Sequence, residues 1–473
     1  MKRSHVLLKN ISSNFFAQFW LMLVSFLATP IIFKKLGSSQ YGLLILLNTI
    51  PAFLSVLDFG LIASLIKNIS GSKTNNSKLS SLISTALIFF SILMIFWGGI
   101  VFSFSRILVY KILKVPPELT NIAIISLKLI SVSFIFSSLT TFFSAIPQSL
   151  QRFEIYNLKN LLIGTILPIG SIVLILNNKG IIDIVSLYII VHVFTLIIFY
   201  LIAKKLLPDF RFTFKITKND AKKLLSFGGF KFISNINARI VFQLNQFLIA
   251  AFLPIGLVSF YAIPSTLAQK VSGILPNITS PVFPLSSELS SLKLKEKLQR
   301  LYVQTVKLSN LIMMPLMLFI FFFSHSILSL WINTDFANNA SLVLKILCLA
   351  FLLASFSATP VTITEGLGKP KITAFFSTLS VFLYLFFALI LIPKYGILGA
   401  ALSVLLNRII QIPIFLYYIT SKIIHLKSLK FYTQNYLKIF FIAVISLVTL
   451  IPLQKHITSL FNLLLIALLY SLI

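Results

Sequence analysis

The sequence predicts an all-α polytopic membrane protein of about 14 transmembrane helices, each roughly 20 residues long. Three observations lead there. Of 473 residues, 58% are hydrophobic and only 11% charged, against about 25% charged in soluble domains, and the mean hydropathy is +1.00. The apolar residues gather into runs long enough to cross a bilayer as helix. Lysine and arginine are shared unevenly between loops on alternate sides. One cysteine, Cys348, excludes a disulfide scaffold. The net charge of +30 fits cytoplasmic loops facing anionic lipid rather than nucleic-acid binding.

In chain order the spans fall at 13–33, 41–66, 81–103, 121–147, 158–177, 181–203, 224–250, 257–283, 301–323, 340–362, 372–392, 397–420, 435–453 and 457–473. The first apolar run, from Phe15 to Phe33, is too long for a signal peptide and lacks a small-residue cleavage site. Pro30 and Pro51 are places where spans one and two could break or kink. The seventh span is the most polar, and the last is short. With the N-terminus inside, the inner segments hold 24 of the 40 basic residues and the outer segments 8. That bias places both termini in the cytoplasm.

No loop is long enough to be a domain. The basic stretch 204–223 reads as a cytoplasmic linker between an N-terminal six-helix lobe, 1–203, and a C-terminal six-helix lobe, 224–420, with two further helices in 421–473. The halves share weak internal matches at offsets of 216 to 221. Ser13-Asn14 matches Ser234-Asn235, Tyr41 matches Tyr261, Leu150 to Ile155 matches Leu367 to Ile372, and Lys179 to Ile182 matches Tyr395 to Leu398. Six spans per repeat is an even number, so the repeats are parallel, and a substrate site is expected between them.

Leu36-Gly37 followed by Tyr41-Gly42, then Asp58-Phe59-Gly60-Leu61, and late in the chain Pro393 to Ala401, resemble the motifs of the polysaccharide (O-antigen type) flippases. These belong to the multidrug/oligosaccharidyl-lipid/polysaccharide exporter superfamily. The resemblance spans essentially the whole chain. It implies two six-helix lobes around a central cavity that opens alternately to either side. It also implies a polyprenyl-diphosphate-linked oligosaccharide as cargo, carried from the cytoplasmic to the outer leaflet of a bacterial inner membrane, with polysaccharide assembly enzymes as neighbours.

With Lys159, at the start of span five, counted to the inner segments, eight basic residues fall within spans: Lys128, Lys231, Arg239, Lys270, Lys307, Lys345, Arg408 and Lys438. A charge facing lipid at mid-depth costs several kcal/mol, so such residues turn to a cavity, a partner or the interface. In span seven, Lys231, Asn235, Arg239 and Gln243 recur at steps of four, with Gln246 three further on; they share one helical face. Asn237 and Asn245 widen that polar surface, and Asn14 and Gln18 in span one are the repeat counterparts of Asn235 and Arg239. The stripe has two readings, lining of a substrate cavity or hydrogen-bonded helix contact. Arg239 and Lys270 are read as cavity cations that suit a diphosphate. Lys128, Lys307, Lys345, Arg408 and Lys438 are read as snorkelling to the interface. Asp58 is the sole carboxylate deep in a span. Three roles are open to it: coupling to protons or sodium, pairing with an intramembrane cation, or capping a loosened turn beside Gly60.

Enzymatic readings find no support. The five histidines form no metal-ligand pair, and Gly366 to Lys369 lacks the earlier glycine and the Ser/Thr of a phosphate loop. Neither a metal nor a cofactor is expected. A multidrug exporter would need buried carboxylates for cationic drugs, and a polytopic glycosyltransferase or polymerase would need larger outer loops. A peptidoglycan-precursor flippase shares nearly every feature of the favoured reading.

Overall fold

The computed structural model describes residues 2–71, 76–208, 237, 243–426, 431–450, 452 and 459–472. The described secondary structure is helical throughout. Two compact units divide the chain, Met1–Gly256 and Leu257–Ile473.

The first unit opens with α1 (Lys2–Leu54), in which two of the expected spans are joined at a single non-helical residue, Gly37, with φ 74° and ψ 172°. Only glycine adopts that backbone without strain. A turn over Ser55–Gly60 separates α1 from α2 (Leu61–Gly71), so the second span, expected to run unbroken over 41–66, is in two pieces. The cause lies in the residues. Pro51 offers no amide donor to its helix, and Phe59 and Gly60 both take positive φ, 51° and 75°. Then come α3 (Asn76–Ser103), α4 (Pro117–Ser149) with proline in its first turn, α5 (Phe153–Leu176) and α6 (Ile181–Leu206). The amide of Gly180 donates to Asp183 Oδ2 at 3.0 Å, which fixes the start of α6.

Packing in this unit follows membrane rather than aqueous logic. Phe90, Phe134, Phe142 and Phe199 fill the centre, and Thr140, Ser144 and Thr195 are wholly buried between helices, as small polar residues are at membrane helix contacts. The exposed faces are apolar. Ile92, Ile95, Phe96 and Phe102 line one stripe of α3, and Ile190, Phe194, Ile197 and Leu201 one stripe of α6. Water would not tolerate such stripes; lipid requires them.

In the second unit α7 (Gly256–Ser272) gives way at Gly273 to a short turn, Leu275–Thr279, before α8 (Val282–Ser291). The expected span 257–283 is therefore broken too, with Pro276 and Pro281 at the joints. Next come α9 (Lys295–Phe322), α10 (Thr334–Ser355) and α11 (Ala358–Gly366). Asn333 caps α10, its Oδ1 accepting the Phe336 amide at 2.7 Å. In α12 (Pro370–Tyr418) two expected spans again meet at one glycine, Gly396, with φ 60° and ψ −135°. Beyond it, Gly399 lies so close to the Leu391 carbonyl that a Cβ there would overlap it. The two arms of α12 thus form a tight hairpin. Wide turns at Ile419–Ile423 and Thr433–Leu437 lead to α13 (Lys438–Val448) and α14 (Leu460–Leu472), pinned together where Tyr470 Oη donates to the Ala443 carbonyl at 3.1 Å.

Eight helices among the described residues are long and apolar enough to cross a membrane, and two of them, α1 and α12, each carry two of the expected spans. Most of the seventh expected span, 224–250, and most of the 204–223 linker lie outside the described residues.

Candidate functional site

The break in span two builds a concave polar pocket in an apolar unit. Asp58 sits at its edge, half-buried. Its Oδ1 accepts the Gly60 amide at 2.9 Å and its Oδ2 the Ile62 amide at 3.4 Å, while its carbonyl accepts the Leu61 amide at 3.0 Å. A carboxylate two residues ahead of the N-cap position, accepting from amides of the turn and the first helical residues, caps the turn that leads into α2. Of the three roles open to Asp58 on sequence grounds, this geometry favours capping. Beside the carboxylate lies a cavity of about 540 Å³, lined by the polar side chains of Ser55, Ser138, Thr141 and Gln148 and floored by Ile66, Phe90 and Met94. Asp58→Ala should lower stability by about 0.5–2 kcal/mol, the range for a lost cap, read as thermal unfolding of detergent-purified protein. Asp58→Asn, which keeps one accepting oxygen, should cost less. Equal losses in the two variants would show that capping is not what the carboxylate does.

Of the polar stripe expected on span seven, Lys231, Asn235 and Arg239 lie outside the described residues, as does the side chain of Asn14 in span one. Gln18 is exposed on α1. Asn237 and Asn245 are buried. Gln246 accepts a hydrogen bond from Thr49 Oγ1 of α1, so this end of the stripe holds helices together in the state described. The neighbouring Gln243 is half-buried, and its Oε1 is enclosed without a hydrogen-bond partner. In the second unit Lys270 is half-buried in the last turn of α7, immediately before the break at Gly273.

The remaining cations divide. Lys307 and Lys438 are exposed, and Lys345 is half-buried. Lys128 places its ammonium 5.4 Å from the centre of the Phe102 ring, within cation–π range. Arg408, expected to snorkel, instead donates to Ser380 Oγ at 3.4 Å inside the α12 hairpin. There Asn407 Nδ2 also donates to the same hydroxyl at 3.0 Å.

One basic residue gives no sign of burial in the sequence, where it stands near the inner end of span five. Lys159 lies within α5 and is only 8% exposed. Its ammonium donates to Ser144 Oγ of α4 at 3.2 Å and stands 5.1 Å from the centre of the Tyr156 ring. His192 of α6 lies within electrostatic reach of it, and the Nδ1 of His192 is enclosed with no hydrogen-bond partner. The signal that could have found this residue is the helix start, since Phe153 begins α5 five residues before the hydropathy threshold is crossed.

Comparison with known proteins accords with this architecture. The model of a family described as polysaccharide biosynthesis protein matches residues 35–338. A protein of Shigella flexneri named "Putative O-antigen transporter" is 23% identical over 399 residues, covering 84% of this chain and 94% of that one. Among solved structures, the lipid II flippase MurJ in an inward closed conformation superposes with a TM-score of 0.79 at 16% identity, over 98% of both chains. An inward-facing multidrug resistance transporter of the MATE family gives a TM-score of 0.70 at 14% identity, over 84% of this chain and 95% of that one.

Proposed function

The chain belongs to the polysaccharide biosynthesis protein family, and from that premise we propose that it is a flippase for a polyprenyl-diphosphate-linked oligosaccharide, an O-antigen or other surface polysaccharide repeat unit. Two six-helix lobes enclose a cavity that opens first to the cytoplasm and then to the outer side of a bacterial inner membrane. The headgroup crosses inside while the polyprenyl tail stays in the bilayer. Both termini face the cytoplasm, as the loop charges require.

The observation that carries the reading is the imbalance of charge within the spans. Nine cations stand there, Lys159 among them, against one deep carboxylate, and that carboxylate is engaged with backbone amides. Such an interior is matched to an anion. A diphosphate is the anion that a lipid-linked sugar presents, and Arg and Lys are the side chains that grip phosphate. Arg239 and Lys270 are assigned to the diphosphate, with Lys231, Asn235, Gln243, Gln246, Asn14 and Gln18 lining the path of the sugar. The same imbalance disfavours a cationic drug as cargo. The resemblance to an O-antigen transporter over 94% of its length supports the polysaccharide pathway.

Complementation tests the cargo and the direction together. Expressed in a strain lacking its own O-antigen flippase, with a panel of repeat units, the protein should restore surface polysaccharide for at least one. That outcome requires outward movement. Absence of surface polysaccharide across the panel, with the protein abundant in the membrane, would refute the assignment. Rescue of a strain depleted of its peptidoglycan-precursor flippase would transfer the protein to that cargo.

A further inference from the structure

Lys159 is buried and His192 half-buried in the first unit, and among the described residues no carboxylate is paired with either. The described groups around the pair come from α4, α5 and α6. From α4 come Thr140, which donates to the His192 carbonyl at 3.4 Å, and Ser144. The hydroxyl proton of Ser144 is committed to the Thr141 carbonyl at 2.8 Å, so its oxygen is left as an acceptor for Lys159. Tyr156 comes from α5 itself. From α6 come His192 and, one turn away, Tyr188, whose hydroxyl accepts from Asn48 at 3.3 Å. Of the described acids of α5 and α6, Asp183 holds the Gly180 amide, and Glu154 is exposed on the first turn of α5.

An ammonium offers three donors, and here one acceptor hydroxyl and one aromatic face meet it. Burying a charge so poorly compensated costs several kcal/mol. The cluster has no need of room for another ligand, because loss of the Lys159 proton alone removes the conflict. Lysine and histidine are the side chains whose proton occupancy the surroundings move most readily.

We propose that Lys159, with His192 beside it, is a proton-binding site of the N-terminal unit, and that its loading and unloading couple a proton gradient to the transport cycle. In the packed state Lys159 Nζ releases its proton to water on one side and remains as a neutral amine bonded to Ser144. When the same region opens to water on the other side, the amine takes a proton back. One N–H bond breaks and one forms, and no other group changes its bonding. The proposal rests on the transport reading above, but its test does not need the cargo.

The test is a pH jump on proteoliposomes of the full-length protein adsorbed to a solid-supported membrane, without lipid-linked sugar. The wild type should give a transient displacement of charge. Lys159→Met, an apolar side chain of similar length, should abolish it. Lys159→Arg should abolish it as well, because a guanidinium does not release its proton; a merely structural cation would be rescued by arginine. Lys128→Gln should leave the transient intact. If neither Lys159 variant accumulates, His192→Gln is read instead, and it should shift the pH midpoint of the transient.

Four results would overturn the proposal. They are no transient in the wild type, a transient that survives in Lys159→Met or Lys159→Arg, an unshifted midpoint in His192→Gln, or loss of the transient in Asp58→Asn with retention in Lys159→Met. A chloride jump at constant pH that reproduced the signal would assign the site to an inorganic anion instead of a proton. A wild type that displaces charge but restores no repeat unit refutes the cargo and spares the proton site. One that restores a repeat unit without any transient does the reverse.

Discussion

Gly399→Ala should sharply reduce the amount of folded protein in the membrane. A Cβ at that position would overlap the Leu391 carbonyl, with the Ile392 amide 2.9 Å away. Both are backbone atoms of the opposite arm of the α12 hairpin, so no side chain can swing aside to make space. Overpacking a core costs about 1–3 kcal/mol and sometimes more, and a clash with backbone belongs at the upper end. Against a total stability of about 5–15 kcal/mol, that is enough to lower membrane abundance several-fold. The control is Gly99→Ala in α3, where a Cβ would meet nothing within 4 Å. There alanine should be neutral or stabilise the helix by up to about 1 kcal/mol. Abundance and thermal unfolding of the two variants, measured side by side, decide the matter. Identical behaviour would mean that the hairpin is looser than the Gly399–Leu391 approach implies.

The second large effect is expected at the cations assigned to the diphosphate. Arg239→Gln should weaken binding of a polyprenyl diphosphate analogue to purified protein by roughly ten- to a hundredfold, the equivalent of about 1.5–3 kcal/mol for one lost charge-assisted contact. Arg239→Lys keeps the charge but gives up the planar fork that holds two phosphate oxygens, so it should be intermediate. Lys270→Gln should also lose affinity while leaving abundance near wild type. Lys345→Gln and Lys438→Gln are the controls. Unchanged binding in Arg239→Gln, or equal loss in the controls, would remove these residues from the cavity.

The class of the molecule was legible in the sequence because lipid imposes a strong and simple pattern: long apolar runs, basic loops on one side, and few charges between. The broken second span was legible in part. Pro51, Asp58 and Gly60 each oppose helix for a known reason, and the structure breaks the chain at Ser55–Gly60. What the residues could not show is which way a side chain turns. Lys159 stands close enough to a loop to pass for a solvated cation, and only the packing of α4 and α6 around α5 reveals it as enclosed. Arg408 reads as a snorkelling residue until Ser380 and Asn407 are seen beside it. Gln246 sits on a stripe suited to a cavity, yet it is held by Thr49. Periodicity assigns a residue to a face, whereas the neighbour of that face is a tertiary fact.

The single-glycine joints at Gly37 and Gly396 also bear on how the protein is made. Two spans joined by one residue leave no loop between them, and a helical hairpin is the form in which such a pair crosses together. Lys34 and Lys35 stand just before one joint and Lys394 just before the other, so each tip carries its positive charge across the membrane in the orientation with both termini inside. The apolar area of two helices, rather than one, is then available to offset that crossing. Lengthening either joint with a flexible insert would uncouple the arms and leave each tip to cross with the support of one helix alone.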